Sequence, residues 1–219
     1  MKHRAILVTI FIFLFQCQVF GQENWDIYTF GNICSFRIPP TMELRDIDSE
    51  AGMVLNKLVN KFLIRFGDNL ADREIKFQPK GLNSTDKELV KKATSVYSRI
   101  LIADFNGDFP TQNDIAKATN TDIKEIDAIF KKQAIESFSL FGTGQTIKWF
   151  PLKRVKVDGK YALLSMYKRT SPKGGFVNVK EYKFFFTDHL VTITVSYRES
   201  ESSLWKQDLD TFLSSLRFN

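Results

Sequence analysis

Every second residue is apolar from Val191 to Tyr197, and the residues between them are polar. This alternation is typical of a strand that buries one face and leaves the other to tolerate water. Three further strand-like segments precede it, and short turn sequences such as Asp158-Gly159 join all four. The pattern therefore predicts an antiparallel meander. Its four predicted strands are 145–157, 160–168, 176–186 and 190–198.

Helical spacing of apolar residues follows the meander and also occurs earlier in the chain. The segment 201–217 predicts a helix that packs across the sheet, and similar spacing predicts a helix over 49–65. The apolar side of the closing helix consists of Leu204, Trp205, Leu209, Phe212, Leu213 and Leu216.

The middle of the chain, about 111–139, predicts a helical hairpin. Its spacing resembles a DNA-reading helix-turn-helix, but acidic and basic residues cancel there, whereas phosphate binding requires an excess of Lys and Arg. We therefore interpret the segment as a structural insertion and expect no nucleic-acid partner. Thr121 is expected to cap the second helix. The stripe that faces the core is Ile123, Ile126, Phe130 and Ala134.

Shorter elements complete the fold prediction. Strands are expected at 25–30, 34–38 and 74–78, and a helix gives way to a strand near Ser95. The short connections imply an antiparallel sheet and the closing helix should pack across it, so the predicted class is α+β, an antiparallel sheet packed by helices. No low-complexity linker interrupts residues 22–219, which favours a single domain that carries the helical insertion.

The amino terminus has the composition of a secretory leader. Lys2 and Arg4 precede an apolar run of about eleven residues, which is too short for a transmembrane helix of about twenty. We expect cleavage after Gly21, export to the periplasm or the outside, and no transmembrane anchor afterwards. Lipidation at Cys17 is disfavoured because Gln16 precedes it, where bacterial lipoprotein signals require a small residue.

Few residues of the exported chain could carry catalysis. One Cys and one His remain, Cys34 and His189, so an internal disulfide and a four-ligand structural zinc site are both excluded. A Cys34/His189 pair, or two carboxylates, could still serve an envelope hydrolase. The segment 104–108 resembles half of a calcium loop but lacks the required later Gly and Glu, and 142–144 predicts a turn. We expect no cofactor and no metal.

Charge is distributed unevenly along the chain. Residues 146–183 contain ten basic and two acidic side chains, although the whole chain carries only +6. Lys and Arg could guard the edges of the sheet, or they could form a basic face that contacts an anionic envelope component or a protein partner. The candidate binding residues, with two aromatic stacking partners, are Lys148, Trp149, Lys153, Arg154, Lys156, Tyr167, Lys168 and Arg169.

Two resemblances agree with this architecture. The phrases F-R-I-P-P-T-M-E-L (36–44) and V-T-I-T-V-S-Y (191–197), with the helix that follows, resemble exported PsbP-like α/β/α proteins. The phrase F-Q-P-K-G-L-N (77–83) resembles secreted proteins of Bacteroidetes-type bacteria. The resemblance to PsbP implies an accessory role in larger assemblies without catalysis. The sequence thus favours a secreted, non-catalytic binding or assembly module, with a hydrolase as the alternative.

Export gives the first testable prediction. Native protein purified from the producing cell should begin at Gln22, because the leader is removed after Gly21. Amino-terminal sequencing of the envelope fraction measures this directly. Native protein that still begins at Met1 in the cell interior would contradict the prediction.

Overall fold

The structure is a computed structural model, and it describes residues 25–45, 73–139, 147–171 and 173–219. The leader, the helix predicted over 49–65 and the turn predicted at 142–144 lie outside these residues. The strands are β1 (Asp26–Phe30), β2 (Cys34–Ile38), β3 (Met42–Leu44), β4 (Arg73–Pro79), β5 (Ser98–Asn106), β6 (Ile147–Val157), β7 (Lys160–Thr170), β8 (Phe176–Phe185), β9 (His189–Arg198) and β10 (Arg217–Phe218). The helices are α1 (Lys87–Ser95), α2 (Gln112–Lys117), α3 (Asn120–Ser139) and α4 (Ser202–Ser215), with one 3-10 turn at Glu199–Glu201.

The described strands form two antiparallel sheets. The larger has the order β3-β4-β5-β9-β8-β7-β6, and the smaller has the order β1-β2-β10. The predicted α+β class and the meander of β6 to β9 are confirmed. At the β6–β7 turn, Asp158 and Gly159 both have positive φ, which is the geometry that matches the twist of a two-residue hairpin.

One face of the large sheet, here named the core face, packs against the small sheet and α4. Phe36, Phe77 and Phe212 meet edge to face there, with ring centroids 5.6 to 5.9 Å apart. The closing helix was correctly predicted, but Leu204 is exposed because it lies on the side of α4 that faces away from the sheet. Phe77 and Phe212 are fully buried, so this aromatic contact contributes a large part of the apolar burial.

The opposite face, here named the hairpin face, carries α2 and α3 over β6, β7 and β8. Ile115 is buried against Leu163 and Phe185, and Ile126 of the predicted stripe packs against the same cluster. The second helix is capped by Thr119, whose hydroxyl accepts from the backbone of Asp122, and not by the predicted Thr121. The helix begins at Asn120, so Thr121 already lies inside it and cannot occupy the capping position.

Side chains that bind backbone groups fasten the helices to the sheet. The Gln112 amide donates to the carbonyls of Tyr161 and Phe185 and accepts from the amide of Tyr161. The Asp127 carboxylate accepts from the backbone of Leu152 at 2.7 Å and from the indole of Trp149 at 2.8 Å. Leu152 lies in the β-bulge of β6, so Asp127 satisfies an amide that the strand ladder leaves unpaired.

This arrangement predicts that Asp127→Ala lowers the free energy of unfolding by about 2 kcal/mol, because two charge-assisted hydrogen bonds are lost. Urea unfolding of both proteins measures the difference. Glu125→Ala is the matched control, since Glu125 is exposed on the same helix and should change stability by less than about 0.5 kcal/mol. Equal losses in the two variants would contradict the role given to Asp127.

Candidate functional site

The predicted basic residues do not share one face of the sheet. Lys148 pairs with Lys168, and Lys153 pairs with Leu164, which places their side chains on the core face. Arg154 pairs with Leu163, a residue of the apolar cluster beneath the hairpin. Lys156 and Arg169 also lie on the hairpin face. Neighbouring residues of a strand point to opposite sides, so a run of Lys and Arg in the sequence is divided between two surfaces.

On the core face two of the three predicted lysines, Lys148 and Lys168, have contacts within the protein. Lys168 forms an ion pair with Glu199 in the turn before α4. Lys148 lies 5.8 Å from the ring centroid of Phe150, and Lys153 is exposed. The Lys168 pair is partly exposed, so it adds little to stability.

On the hairpin face Arg154 has a structural role. Its Nη1 donates to the carbonyls of Ile115, Ala116 and Ala118, at 3.1, 2.8 and 2.7 Å. These carbonyls end α2, where helical backbone groups have no partner of their own. Lys156 lies beside the same hairpin, 5.1 Å from the ring centroid of Tyr161.

The two predicted stacking residues stack on each other. The rings of Trp149 and Tyr167 are 5.6 Å apart and nearly parallel. Tyr167 is buried, and burial raises the pKa of its phenol to about 12, with Arg169 acting in the opposite direction. The pair therefore forms a wall of the hairpin face.

Tyr97 is the residue on which two arginines converge. Its hydroxyl accepts from Arg169 at 3.1 Å and lies 3.2 Å from the hydroxyl of Ser196. The guanidiniums of Arg99 and Arg169 lie 5.9 and 5.8 Å from its ring centroid. Burial acts to raise the pKa of Tyr97, but the two arginines and the hydrogen bonds outweigh burial and lower it.

A cavity of about 180 Å³ opens beside Tyr97 and is here named the arginine cleft. Arg45, Lys76, Arg99 and Lys173 all contribute to its lining. Lys76 forms an ion pair with Glu74, and Lys173 donates to the carbonyl of Thr94.

The two arginines of the arginine cleft have no carboxylate partner in the part of the chain that the structure describes. Among the described residues, neither Arg45 nor Arg99 forms an ion pair with a carboxylate. Burial and the charge of Arg99 lower the pKa of Arg45, while Glu74 acts weakly in the opposite direction. The arginine cleft therefore holds like charges close together, which disfavours the charged form of Arg45.

A second cavity, of about 260 Å³, lies between α3 and the strands β6, β7 and β8 and is here named the polar cavity. Its described lining consists of Phe130, Gln133, Ala134, Trp149, Ser165, Tyr167, Glu181 and Lys183. Trp149 and Tyr167 were predicted as binding residues, whereas Lys183 and Glu181 were seen only as members of a charged region. No short sequence motif indicates Glu181 and Lys183 as site residues. The pairing of β7 with β8 brings them next to Ser165, which is distant in the sequence.

Lys183, which lines the polar cavity, has a strongly lowered pKa. Burial lowers the pKa of its ammonium group to about 8. Its Nζ lies 4.8 Å from the ring centroid of Phe130 and contacts the carboxylate of Glu181. The Glu181 contact favours the charged form and thus opposes burial.

The residues of the alternative hydrolase are placed unfavourably for nucleophilic chemistry. Cys34 is buried in the core, and burial together with the charge of Asp104 raises the pKa of its thiol to about 12. His189 binds Asp188 at 2.6 Å and stacks on Phe186, and no hydrogen bond among the described residues joins it to Cys34. A thiol with this pKa is almost entirely protonated at neutral pH and is therefore a weak nucleophile.

The half calcium loop is also accounted for structurally. Asp104 is buried in β5 and accepts from Arg73 at 3.0 Å, so it belongs to the sheet and not to a loop. Within the described ranges, no group of three or more His, Cys, Asp or Glu is placed to hold a metal ion. No helix in these ranges is long and apolar enough to span a bilayer.

Comparison with solved structures identifies a known fold that matches this chain. No protein-family model matches the chain, and no curated protein sequence matches it. The solution structure of cyanobacterial PsbP from Synechocystis sp. PCC 6803 is similar over 89% of this chain and 92% of that one, with 12% identity and a TM-score of 0.52. The chain has the PsbP fold. The resemblance to PsbP in the sequence is thereby confirmed at the level of the fold.

Two further structures are similar at lower TM-scores. LpqN of Mycobacterium tuberculosis, involved in cell envelope biogenesis, matches with 7% identity over 90% of this chain and 86% of that one, at a TM-score of 0.45. A protein of Bacteroides thetaiotaomicron VPI-5482 matches with 9% identity over 85% of this chain and 45% of that one, at a TM-score of 0.40. At such identities a likeness concerns architecture alone, so the sites of this PsbP-fold chain rest on its own residues.

The lowered pKa of Lys183 predicts a measurable pH dependence. Between about pH 8 and pH 10.5 the unfolded chain holds a proton that the folded chain has released, so stability should rise with pH in this window. Below pH 8 both states are protonated, and the burial penalty applies in full. Relative to Lys183→Met, the wild-type free energy of unfolding should gain about 1 to 3 kcal/mol across the window.

Urea unfolding of both proteins at several pH values measures this difference. Lys148→Met is the control, because Lys148 is exposed and should leave the pH dependence of the wild type in place. Parallel stability profiles for wild type and Lys183→Met would show that the ammonium of Lys183 is not desolvated.

Proposed function

We propose that this protein is a non-catalytic binding module of the bacterial cell envelope that recognises an anionic group at the arginine cleft. The observation that carries this proposal is the pair Arg45 and Arg99, which line one cavity and form no ion pair with a carboxylate of the described residues. The envelope assignment rests on the predicted leader, and the binding role is consistent with the PsbP fold.

The chemistry of the arginine cleft favours a phosphate or a carboxylate. A guanidinium presents donors in a planar fork that matches either group with two parallel hydrogen bonds. An anion placed between Arg45 and Arg99 would replace their mutual repulsion by attraction to both. Lys76 and Lys173 would add positive potential at the rim, although each already has a partner within the protein.

Tyr97 would give this site a rigid floor. Its hydroxyl is occupied by Arg169 and Ser196, and Arg99 lies over its ring. An arginine held against an aromatic face loses less conformational freedom when it binds, because part of its ordering is already complete. The arginine cleft is thus organised before the ligand arrives.

Binding to lipopolysaccharide tests the proposal. Wild-type protein should bind immobilised lipopolysaccharide, and binding should weaken between about 100 mM and about 500 mM NaCl because salt screens exposed charges. Arg45→Gln combined with Arg99→Gln should weaken binding about 10- to 100-fold, through the loss of charge-assisted hydrogen bonds.

A charge-matched variant makes the test specific. Lys148→Gln combined with Lys153→Gln removes the same charge from the core face and should bind as the wild type does. Chemically dephosphorylated lipopolysaccharide separates phosphate from carboxylate recognition. Equal losses in both double variants would indicate general charge attraction and refute the arginine cleft as the site.

A further inference from the structure

We propose that the polar cavity is a separate binding site for a small uncharged molecule rich in hydroxyl groups, with the chemistry of a monosaccharide. This site lies beneath α3 and does not share its charged residues with the arginine cleft. The inference therefore stands independently of the function proposed above.

An unpartnered buried hydroxyl is the first observation. Ser165 is 2% exposed and borders the polar cavity, and its buried hydroxyl has no hydrogen-bond partner among the described residues. Burying such a group without a partner costs roughly 1 to 3 kcal/mol, so it is seldom found without a reason. A ligand hydroxyl can either donate to this oxygen or accept from its O–H group, and one such hydrogen bond would reduce the cost.

A charged pair beside this hydroxyl is the second observation. Glu181 and Lys183 are two positions apart on β8, so both side chains lie on the hairpin face, and they contact each other. The carboxylate only accepts hydrogen bonds and the ammonium only donates them. Of two adjacent sugar hydroxyls, one can donate to the carboxylate of Glu181 while the other accepts from the ammonium of Lys183.

The net charge of the pair selects against ions. The charges of Glu181 and Lys183 cancel, so an anion would meet the carboxylate and a cation would meet the ammonium, each in a partly buried site. A neutral ligand with many hydrogen-bonding groups avoids both penalties. The exposed amide of Gln133 at the rim adds one more donor and acceptor.

The walls of the polar cavity complete the match. Phe130, Trp149 and Tyr167 contribute aromatic surface next to the polar groups. A sugar ring presents C–H groups on its faces and hydroxyls around its edge, so it can meet apolar and polar walls together. The volume of about 260 Å³ is slightly below the roughly 300 Å³ at which ligand sites begin, which favours a small ligand.

The test uses glucose, galactose and N-acetylglucosamine as probes, with glucose 6-phosphate as the charged comparison. The indole N–H resonance of Trp149, assigned with Trp149→Phe, reports binding because this indole lies in the wall and donates to Asp127. At least one neutral sugar should shift the resonance saturably, with an affinity that is the same at about 50 mM and about 500 mM NaCl. The phosphorylated sugar should bind more weakly.

Two variants locate the site. Glu181→Gln should weaken sugar binding at least about tenfold, because a charged acceptor is lost. Ser165→Val fills the space of the hydroxyl without its polarity and should also weaken sugar binding. Because the two variants change different residues, the test still stands if Glu181→Gln does not fold. Arg45→Gln combined with Arg99→Gln should leave sugar binding unchanged while it weakens lipopolysaccharide binding about 10- to 100-fold.

Three results would overturn the inference. The first is no saturable shift with any neutral sugar up to about 100 mM, a concentration well above the millimolar range of weak sites. The second is equal binding by wild type and both polar-cavity variants. The third is loss of sugar binding in the arginine double variant alone, which would place the sugar in the arginine cleft.

Discussion

The hydrogen-bonded register from β5 through β9, β8 and β7 is the constraint on which both candidate sites depend. It places Arg99 opposite Ser196, and Lys183 opposite Leu163, so that their side chains lie on the hairpin face. The same register places Lys168 on the core face, where it meets Glu199. A slip of one residue in any of these pairs would exchange the two faces and remove both sites.

The helices α2 and α3 are held against the sheet by specific polar contacts. Arg154, Asp127 and Gln112 bind backbone groups across the gap between helices and sheet, so the helices are held by polar contacts as well as by the small apolar cluster around Ile115. Such bonds fix the distance of α3 from the strands without filling the space between them. The polar cavity is the space that remains, bordered by Phe130 on the helix side.

The two faces of the sheet differ in their contents. The core face carries the apolar cluster that includes Phe36, Phe77 and Phe212, and there Lys168 pairs with Glu199. The hairpin face borders the polar cavity and also carries Arg99 of the arginine cleft. The similarity to PsbP concerns the architecture alone, because fold similarity at 12% identity does not extend to side chains, so both candidate sites rest on the residues of this chain.

Sequence pattern alone determined the α+β class, the meander, the closing helix and the helical hairpin, because apolar periodicity follows directly from strand and helix geometry. The sequence also located the basic region 146–183, but it did not show that the basic side chains are divided between the two faces of the sheet. Tertiary structure decided that Arg154 ends α2, that Arg99 converges on Tyr97, and that Ser165 shares a cavity with Glu181. These meetings depend on strand pairing and on how closely a helix approaches a sheet, and neither quantity is encoded in local periodicity.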